Sequence, residues 1–219
     1  MGKVSILNKE QKIILDELKK NDFSQQNFYF TGGAALSSIY LQHRHSDDLD
    51  FFTAKEFDNQ VIFSLMNQWS KKHQFTFQSR FVETVYIFNL EFKNNLKLKI
   101  DFAYYPYSQL EKRNSVEGVW VDSLFDIAVN KLLTISQRTD IKDFVDVYFL
   151  LNKFTVWDLM DGVRKKFKIK VEPMLLASDF LKIEDFEFLP RMIVPLTLSD
   201  LREKFRKKAQ AIGLKSIDK

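Results

Sequence analysis

The amino-acid sequence predicts an α+β fold, a mixed sheet flanked by helices and followed by an all-helical C-terminal part. Two observations carry that expectation. Strand-like runs, aromatic or alternating in hydrophobicity, end near residue 104, and beyond Ser123 the apolar positions recur only at helical spacing. A length of 219 residues suits one domain with a modest second unit. Composition changes after Pro106, so a division near residues 106–121 is expected, separating residues 1–120 from 121–219.

Each element follows from local pattern. Residues 8–20 put Ile13, Ile14, Leu15 and Leu18 on one side of a helix, with Lys, Glu and Gln on the other. Asn27 to Thr31 reads as a short aromatic strand that runs into Gly32-Gly33. Ala34 to Gln42 has helix-forming composition with Leu36, Ile39 and Tyr40 as its stripe. Leu49 to Phe52 is strand-like, and Asp58 to Lys72 is helical, with Val61, Ile62, Leu65, Met66 and Trp69 at helical spacing. Strands are expected over 75–81, 84–92 and 96–104. The last alternates, with Leu96, Leu98 and Ile100 on one face and Lys97, Lys99 and Asp101 on the other. Helices follow at about 123–137, 140–152, 155–168 and 199–212, the first capped by Asp122 or Ser123, with a less regular stretch over 184–195.

Composition removes several classes of function. No Cys is present, which excludes disulfide frameworks, thiolate nucleophiles and Cys-ligated metal sites. Three His leave little room for a zinc site built from protein ligands, and 15% aromatic residues argue against disorder. The net charge of +4 is too mild to indicate nucleic-acid binding by itself. No uncharged apolar run approaches the roughly 20 residues of a membrane span, and Met1 to Ser5 does not open a secretory signal. The chain therefore reads as cytoplasmic, without a membrane partner.

Two clusters carry chemistry. Gly32-Gly33 lies between a strand and a helix, which suits either a plain tight turn or a backbone that lets a phosphate approach its N–H groups. In the run from Arg44 to Phe52, a strand that includes Asp48 would put Asp48 and Asp50 on one face, with Leu49 and Phe51 in the core. Two such carboxylates suit a hard cation that keeps waters and accepts substrate phosphates, or else form a solvated acidic edge. Asp101, at the end of a polar strand face, would complete a three-acid site for phosphoryl or nucleotidyl transfer.

Four ordered motifs then resemble a known family. They are Phe30-Thr31-Gly32-Gly33-Ala34-Ala35-Leu36; His43-Arg44 with Ser46, Asp48 and Asp50-Phe51-Phe52; Lys99-Ile100-Asp101-Phe102; and Ser123-Leu124, Asp126-Ile127-Ala128 and Lys131-Leu132, followed by Arg138 and Lys142 to Tyr148. Over residues 28–151 this pattern resembles the AbiEii/AbiGii toxin-type nucleotidyltransferases of the polymerase-β-like superfamily. The resemblance implies a nucleotidyltransferase-like sheet with a helical C-terminal part. It implies Mg²⁺ or Mn²⁺ at Asp48, Asp50 and Asp101, and an NTP met by Gly32, Gly33 and Ser46. It assigns catalytic roles to Asp48, Asp50, Asp101, Lys131 and Asp146, and nucleotide contacts to Lys131, Arg138 and Asp143, with Asp143 or Asp146 orienting Lys131. By analogy, Asp101 accepts the nucleophile's proton.

The activity so implied is metal-dependent transfer of a nucleotide from NTP to an acceptor hydroxyl. An RNA 3′ end, tRNA included, is favoured over a protein acceptor. The protein would be the toxin of a toxin–antitoxin or phage-defence pair with a cognate antitoxin. The alternatives are a degenerate nucleotide- or partner-binding module and an enzyme that modifies a small molecule such as an antibiotic. One position departs from the superfamily pattern: Ala34 stands where a hydroxyl residue is usual, so that contact is missing or falls to Ser37, Ser38 or Ser46. If Lys131 meets only substrate, Lys131→Ala should leave thermal stability nearly unchanged. Two basic runs, 164–170 and 202–208, suit an RNA backbone, a solvated helix face or an antitoxin-binding surface. Metal ligation by His43 and His45 is disfavoured for want of a third ligand, and Arg44 is expected to anchor its loop or meet phosphate.

Overall fold

A computed structural model describes residues 6–20 and 28–217, with side chains described through Leu214. Residues 1–5 and Asn27 therefore lie outside the described residues. Two compact units are present. The first takes in the described residues up to Tyr40, then Ser46–Tyr107 and Arg113–Asp122; the second takes in Leu41–His45, Ser108–Lys112 and the chain from Ser123 onward.

In the first unit, helix α1 (Lys9–Lys20) precedes strand β1 (Tyr29–Thr31), which runs into a single helical turn, α2 (Gly32–Ala35). The backbone then widens into a π-helix over Leu36–Leu41, in place of the regular helix expected there. Strand β2 (Leu49–Thr53), helix α3 (Asn59–His73) and strands β3 (Phe75–Val82), β4 (Val85–Phe92) and β5 (Lys97–Tyr104) follow, and then a hairpin of β6 (Asn114–Val116) and β7 (Val119–Val121). The seven strands form one mixed sheet in the order β3-β4-β5-β2-β1-β7-β6. β2 runs parallel to β5 and antiparallel to β1, and β1 runs parallel to β7.

Phenylalanine sets the register at the centre of this sheet. Phe30 pairs with Phe51 and Phe51 with Phe102, and both ring pairs are stacked with centroids 5.5 Å apart. All three side chains are buried. Because side chains alternate along a strand, the residues one step before Phe51 and Phe102, Asp50 and Asp101, lie on the opposite face.

β2 starts at Leu49, so Asp48 precedes the strand instead of belonging to it. The β6–β7 hairpin was not legible in the sequence, because three-residue strands are too short to show alternation. Its turn is nevertheless well specified, with Glu117 and Gly118 both at positive φ as a two-residue primed turn requires.

The second unit is helical: α4 (Leu124–Gln137), α5 (Ile141–Leu150), α6 (Val156–Phe167), α7 (Pro173–Leu181) and α8 (Leu198–Ile217), with a 3₁₀ turn at Lys182–Asp185. Ser123 caps α4 by accepting from the amide of Asp126, Asp140 caps α5, and Thr155 with Asp158 forms a capping box on α6. Phe205 packs edge-on against both Phe144 and Phe180 at the core. Helix α7 escaped the periodicity reading because it is apolar all round, with Met174, Leu175 and Leu181 exposed as well as Leu176 and Phe180 buried. No described helix is long and apolar enough to cross a membrane.

Within this unit α6 packs on α4 at Gly162. A Cβ built there would lie 2.4 Å from Val129 Cγ2 and 3.2 Å from Phe125 Cζ. Gly-to-Ala changes inside helices ordinarily stabilise by up to about 1 kcal/mol, but overpacking costs roughly 1–3 kcal/mol. Gly162→Ala should therefore lower the melting temperature. A thermal melt showing equal or higher stability would mean that the two helices approach less closely than described.

Candidate active site

The carboxylate site lies on the first unit. Gly32 takes a φ of +70°, and a Cβ at that position would lie 2.0 Å from Asp50 Oδ2. Only glycine allows the turn to pass this close to the carboxylate. The turn is held from behind, where Thr31 donates its hydroxyl to Asp122 Oδ2, Tyr40 donates to the Asp122 carbonyl and the Asp122 amide bonds Phe30.

Asp50 faces Asp101 directly across the parallel β2–β5 pair. Asp101 Oδ2 accepts from Lys99 Nζ at 2.6 Å, while its Oδ1 is buried with no hydrogen-bond partner. Burial pushes the Asp101 carboxyl above its ordinary range; Lys99 opposes that, and the nearby negative charge of Asp48 reinforces it. Asp48 therefore acts on Asp101 even though it stands outside the strand.

A divalent ion can be tested against these groups. Among the described residues no three His, Asp or Glu side chains are gathered around a common metal position. The donor chemistry nonetheless fits a hard cation, since buried oxygens without partners are costly, and Asp101 stands opposite Asp50 on the neighbouring strand. An ion held by one or two carboxylates, with waters and phosphate oxygens filling its other positions, suits such a set.

The hydroxyls weighed as substitutes for Ala34 separate in the structure. Ser37 Oγ donates to the Gly33 carbonyl at 2.9 Å and Ser38 Oγ to the Ala34 carbonyl at 2.6 Å. Both are turned back on their own helical turn. Ser46 is half-buried, and its carbonyl accepts from Gln11 Nε2.

The second unit holds a buried charge network. Asp146 is fully buried and receives Arg44 Nε at 2.7 Å and Nη2 at 2.8 Å, His43 Nε2 at 2.7 Å and Lys131 Nζ at 2.7 Å. Lys131 also donates to Asp143 at 2.7 Å, and Arg138 Nε bonds the other Asp143 oxygen at 2.8 Å. Burial alone would raise both carboxyls; Lys131 with Arg44 at Asp146, and Lys131 with Arg138 at Asp143, outweigh it and hold both well below the usual range. The backbone of His43 and His45 bonds residues 191–194, so Arg44 anchors its loop, as the sequence suggested.

This corrects several expectations. Asp143 and Asp146 are both buried, and Lys131 Nζ lies 2.7 Å from an oxygen of each, the arrangement that orienting Lys131 calls for. Lys131 is itself buried between two aspartates, so it is not a lysine that meets only substrate. Arg138 lies one residue beyond the end of α4 and not on its face, yet it reaches Asp143 with a side chain 59% exposed. The basic runs are largely engaged as well: Lys166 is buried against Asp126, Lys204 donates to the Tyr148 carbonyl and Asn152, and Arg206 forks onto Glu184. The Arg44–Asp146 fork was missed in the sequence, although an i, i+3 pair of aspartates on the largely apolar α5 signalled a need for internal cations.

Comparison with known proteins places this geometry. The sequence model of the AbiEii nucleotidyl transferase toxins of type IV toxin–antitoxin systems matches residues 13–216. An uncharacterized protein of Aquifex aeolicus is 33% identical over 186 residues, covering 82% of this chain and 84% of its own. A crystal structure of an H. pylori protein, described as a nucleotidyltransferase, superposes with a TM-score of 0.60 at 21% identity, covering 95% of this chain and 97% of that one. MenT4, a nucleotidyltransferase toxin of Mycobacterium tuberculosis, superposes with a TM-score of 0.54 at 15% identity, covering 92% of this chain and 82% of its own. These two superpositions show the fold.

The network yields two expected outcomes. Removing one partner of a buried ion cluster costs about 3–5 kcal/mol, so Lys131→Met should melt well below the parent chain. Arg138→Ala, which removes a half-exposed cation, should change the melting temperature little. Equal melting of parent and Lys131→Met would return Lys131 to a purely substrate-facing role. The depressed carboxyls of Asp143 and Asp146 contribute stability that is fully present above the ordinary carboxylate pKa of about 4 and is lost as pH falls below it. Urea titrations should give stability that falls steeply below that pH, and Asp143→Asn should flatten the fall; an unchanged slope in that variant would remove Asp143 from the linkage.

Proposed function

The chain belongs to the AbiEii nucleotidyl transferase toxin family, and from that premise we propose that it transfers a nucleotide from an NTP to the 3′ hydroxyl of an RNA. It is a nucleotidyltransferase with the α+β fold of such enzymes. The observation that carries the finer reading is the in-register pair Asp50 and Asp101, with a buried unpartnered Asp101 oxygen beside the Gly32 turn.

In this reading Asp48, Asp50 and Asp101 hold Mg²⁺ or Mn²⁺, which when bound neutralises phosphate charge and orients the in-line displacement. The Gly32-Gly33 turn takes the triphosphate, and Ser46 stands nearby in sequence as a further contact. Asp101, with a carboxyl raised by burial, accepts the proton of the attacking hydroxyl. The new bond joins that oxygen to the α-phosphorus, the α–β bridging bond breaks, and pyrophosphate leaves with the electron pair. Asp146 and Asp143 act by fixing Lys131 and Arg138, and Arg138 is the cation of that set with an exposed side chain. As a toxin, the protein would be paired with an antitoxin that blocks transfer.

One observation favours a second reading. With Ala34 after the glycines and Ser37 and Ser38 turned inward, the turn has no hydroxyl of its own, as suits a module that binds nucleotide without transferring it. Incubation with each labelled NTP, Mg²⁺ and total bacterial RNA separates the two. Label should enter RNA, and Asp50→Asn or Asp101→Asn should reduce transfer by roughly 100-fold or more with the fold intact by circular dichroism. Calorimetric binding of NTP with Mn²⁺, but no label in any acceptor, would establish the binding module instead.

A further inference from the structure

Apart from Asp101, the open face of strands β3, β4 and β5 has no role in the reading above. Strand pairing aligns its side chains in rows across the sheet. The row that contains the acids runs from Asp50 through Asp101 and Ile87 to Arg80. The next row is Lys99, Asn89 and Gln78, and the one after is Lys97, Glu91 and Thr76. A groove of about 510 Å³ covers these last two rows and reaches Asp48 at one end. Gln78 and Asn89 are both exposed and stand opposite each other.

We propose that this face is the acceptor track, where the single-stranded 3′ end of the RNA lies with its penultimate base against Gln78 and Asn89. The inference rests on the RNA-acceptor reading given above and adds where the acceptor binds and what reads it. Successive rows on a strand face are about 7 Å apart, so the amide row lies within reach of the nucleotide that precedes the reacting hydroxyl. Beyond the acids the face carries Arg80, Lys97 and Lys99 against Glu91 alone, an excess of positive charge that complements a polyanion. Ile87 is the one apolar residue in these three rows, and Val82, Val85 and Ala103 form the row on the far side of the acids. A pair of carboxamides presents donors and acceptors together, the chemistry that reads a base edge. Exposed residues on a sheet face can be changed without touching the core, so the test does not depend on a fragile fold.

The experiment uses the full chain, Mg²⁺, each NTP and a pool of RNA oligonucleotides with randomised final positions, with extended products identified by sequencing. The parent should show a preference of about tenfold or more at the penultimate position. Gln78→Ala combined with Asn89→Ala should flatten it to about twofold while the KM for NTP stays unchanged. Arg80→Ala with Lys97→Ala should instead raise the acceptor KM for every sequence alike and weaken its salt dependence. Extension of RNA by all variants with the parent's preference and KM overturns the track and leaves the RNA reading standing. Failure of the parent to extend any RNA, with label entering a protein or small molecule, overturns the RNA reading and the track with it.

Discussion

The stacked phenylalanines of β1, β2 and β5 constrain everything that follows in the first unit. Phe30, Phe51 and Phe102 are in register, and burying their faces is worth more than any polar interaction on these short strands. A slip of one residue would expose all three rings and bury Asp50 and Asp101. The apolar face therefore fixes the chemical face: two carboxylates are held opposite each other, against their mutual repulsion, by stacking on the far side of the sheet. Gly32 is the second half of this constraint, since any side chain there would collide with the carboxylate that the register puts in place.

The second unit solves the opposite problem. Three of its acids point inward, and each of these is matched by cations: Arg44, His43 and Lys131 at Asp146, Lys131 and Arg138 at Asp143, and Lys166 at Asp126. A buried carboxylate is tolerable when most of its lone pairs are filled, and the bidentate Arg44 fork supplies the geometry that makes Asp146 so. The difference from Asp101 is instructive. Asp126, Asp143 and Asp146 are each held below the ordinary range by their partners, whereas at Asp101 burial outweighs Lys99. The direction of the shift thus follows how many hydrogen-bonding partners reach each carboxyl.

Much of this was legible in the sequence, and the exceptions share a cause. The sheet strands from residue 75 to 104 and the helices α4 to α6 announced themselves through periodicity and caps, because each has one buried face. The β6–β7 hairpin and α7 did not, being too short or too uniformly apolar to show a period. The carboxylate motif was readable because the acids alternate with core residues, while the start of β2 one residue beyond Asp48 was decided by pairing. The partners of Lys131, Asp143 and Asp146 were the least legible. A basic residue seven places from another on a helix looks the same whether it meets substrate or an aspartate from the next helix, and only tertiary packing separates the two. The same limit applied to the basic runs, where Lys166 and Arg206 turned out to have partners at Asp126 and Glu184 that are distant in sequence.

Asp101 connects these arguments. One of its oxygens is bound to Lys99 and the other is buried with no partner, an arrangement that costs stability in a folded chain. Stacking of Phe102 on Phe51 and its edge-on contact with Phe88 offset that cost from the opposite face, so the carboxylate is kept in an environment it would not choose by itself. Such strain is what a site needs if its oxygen is to respond to an arriving cation or proton instead of being already satisfied. Lys99 balances part of the charge without filling the buried oxygen, and it stands in the row that leads away from the acids along β5. The residue that tempers Asp101 therefore also begins the polar face of the sheet, so the acid pair and the neighbouring surface share Lys99.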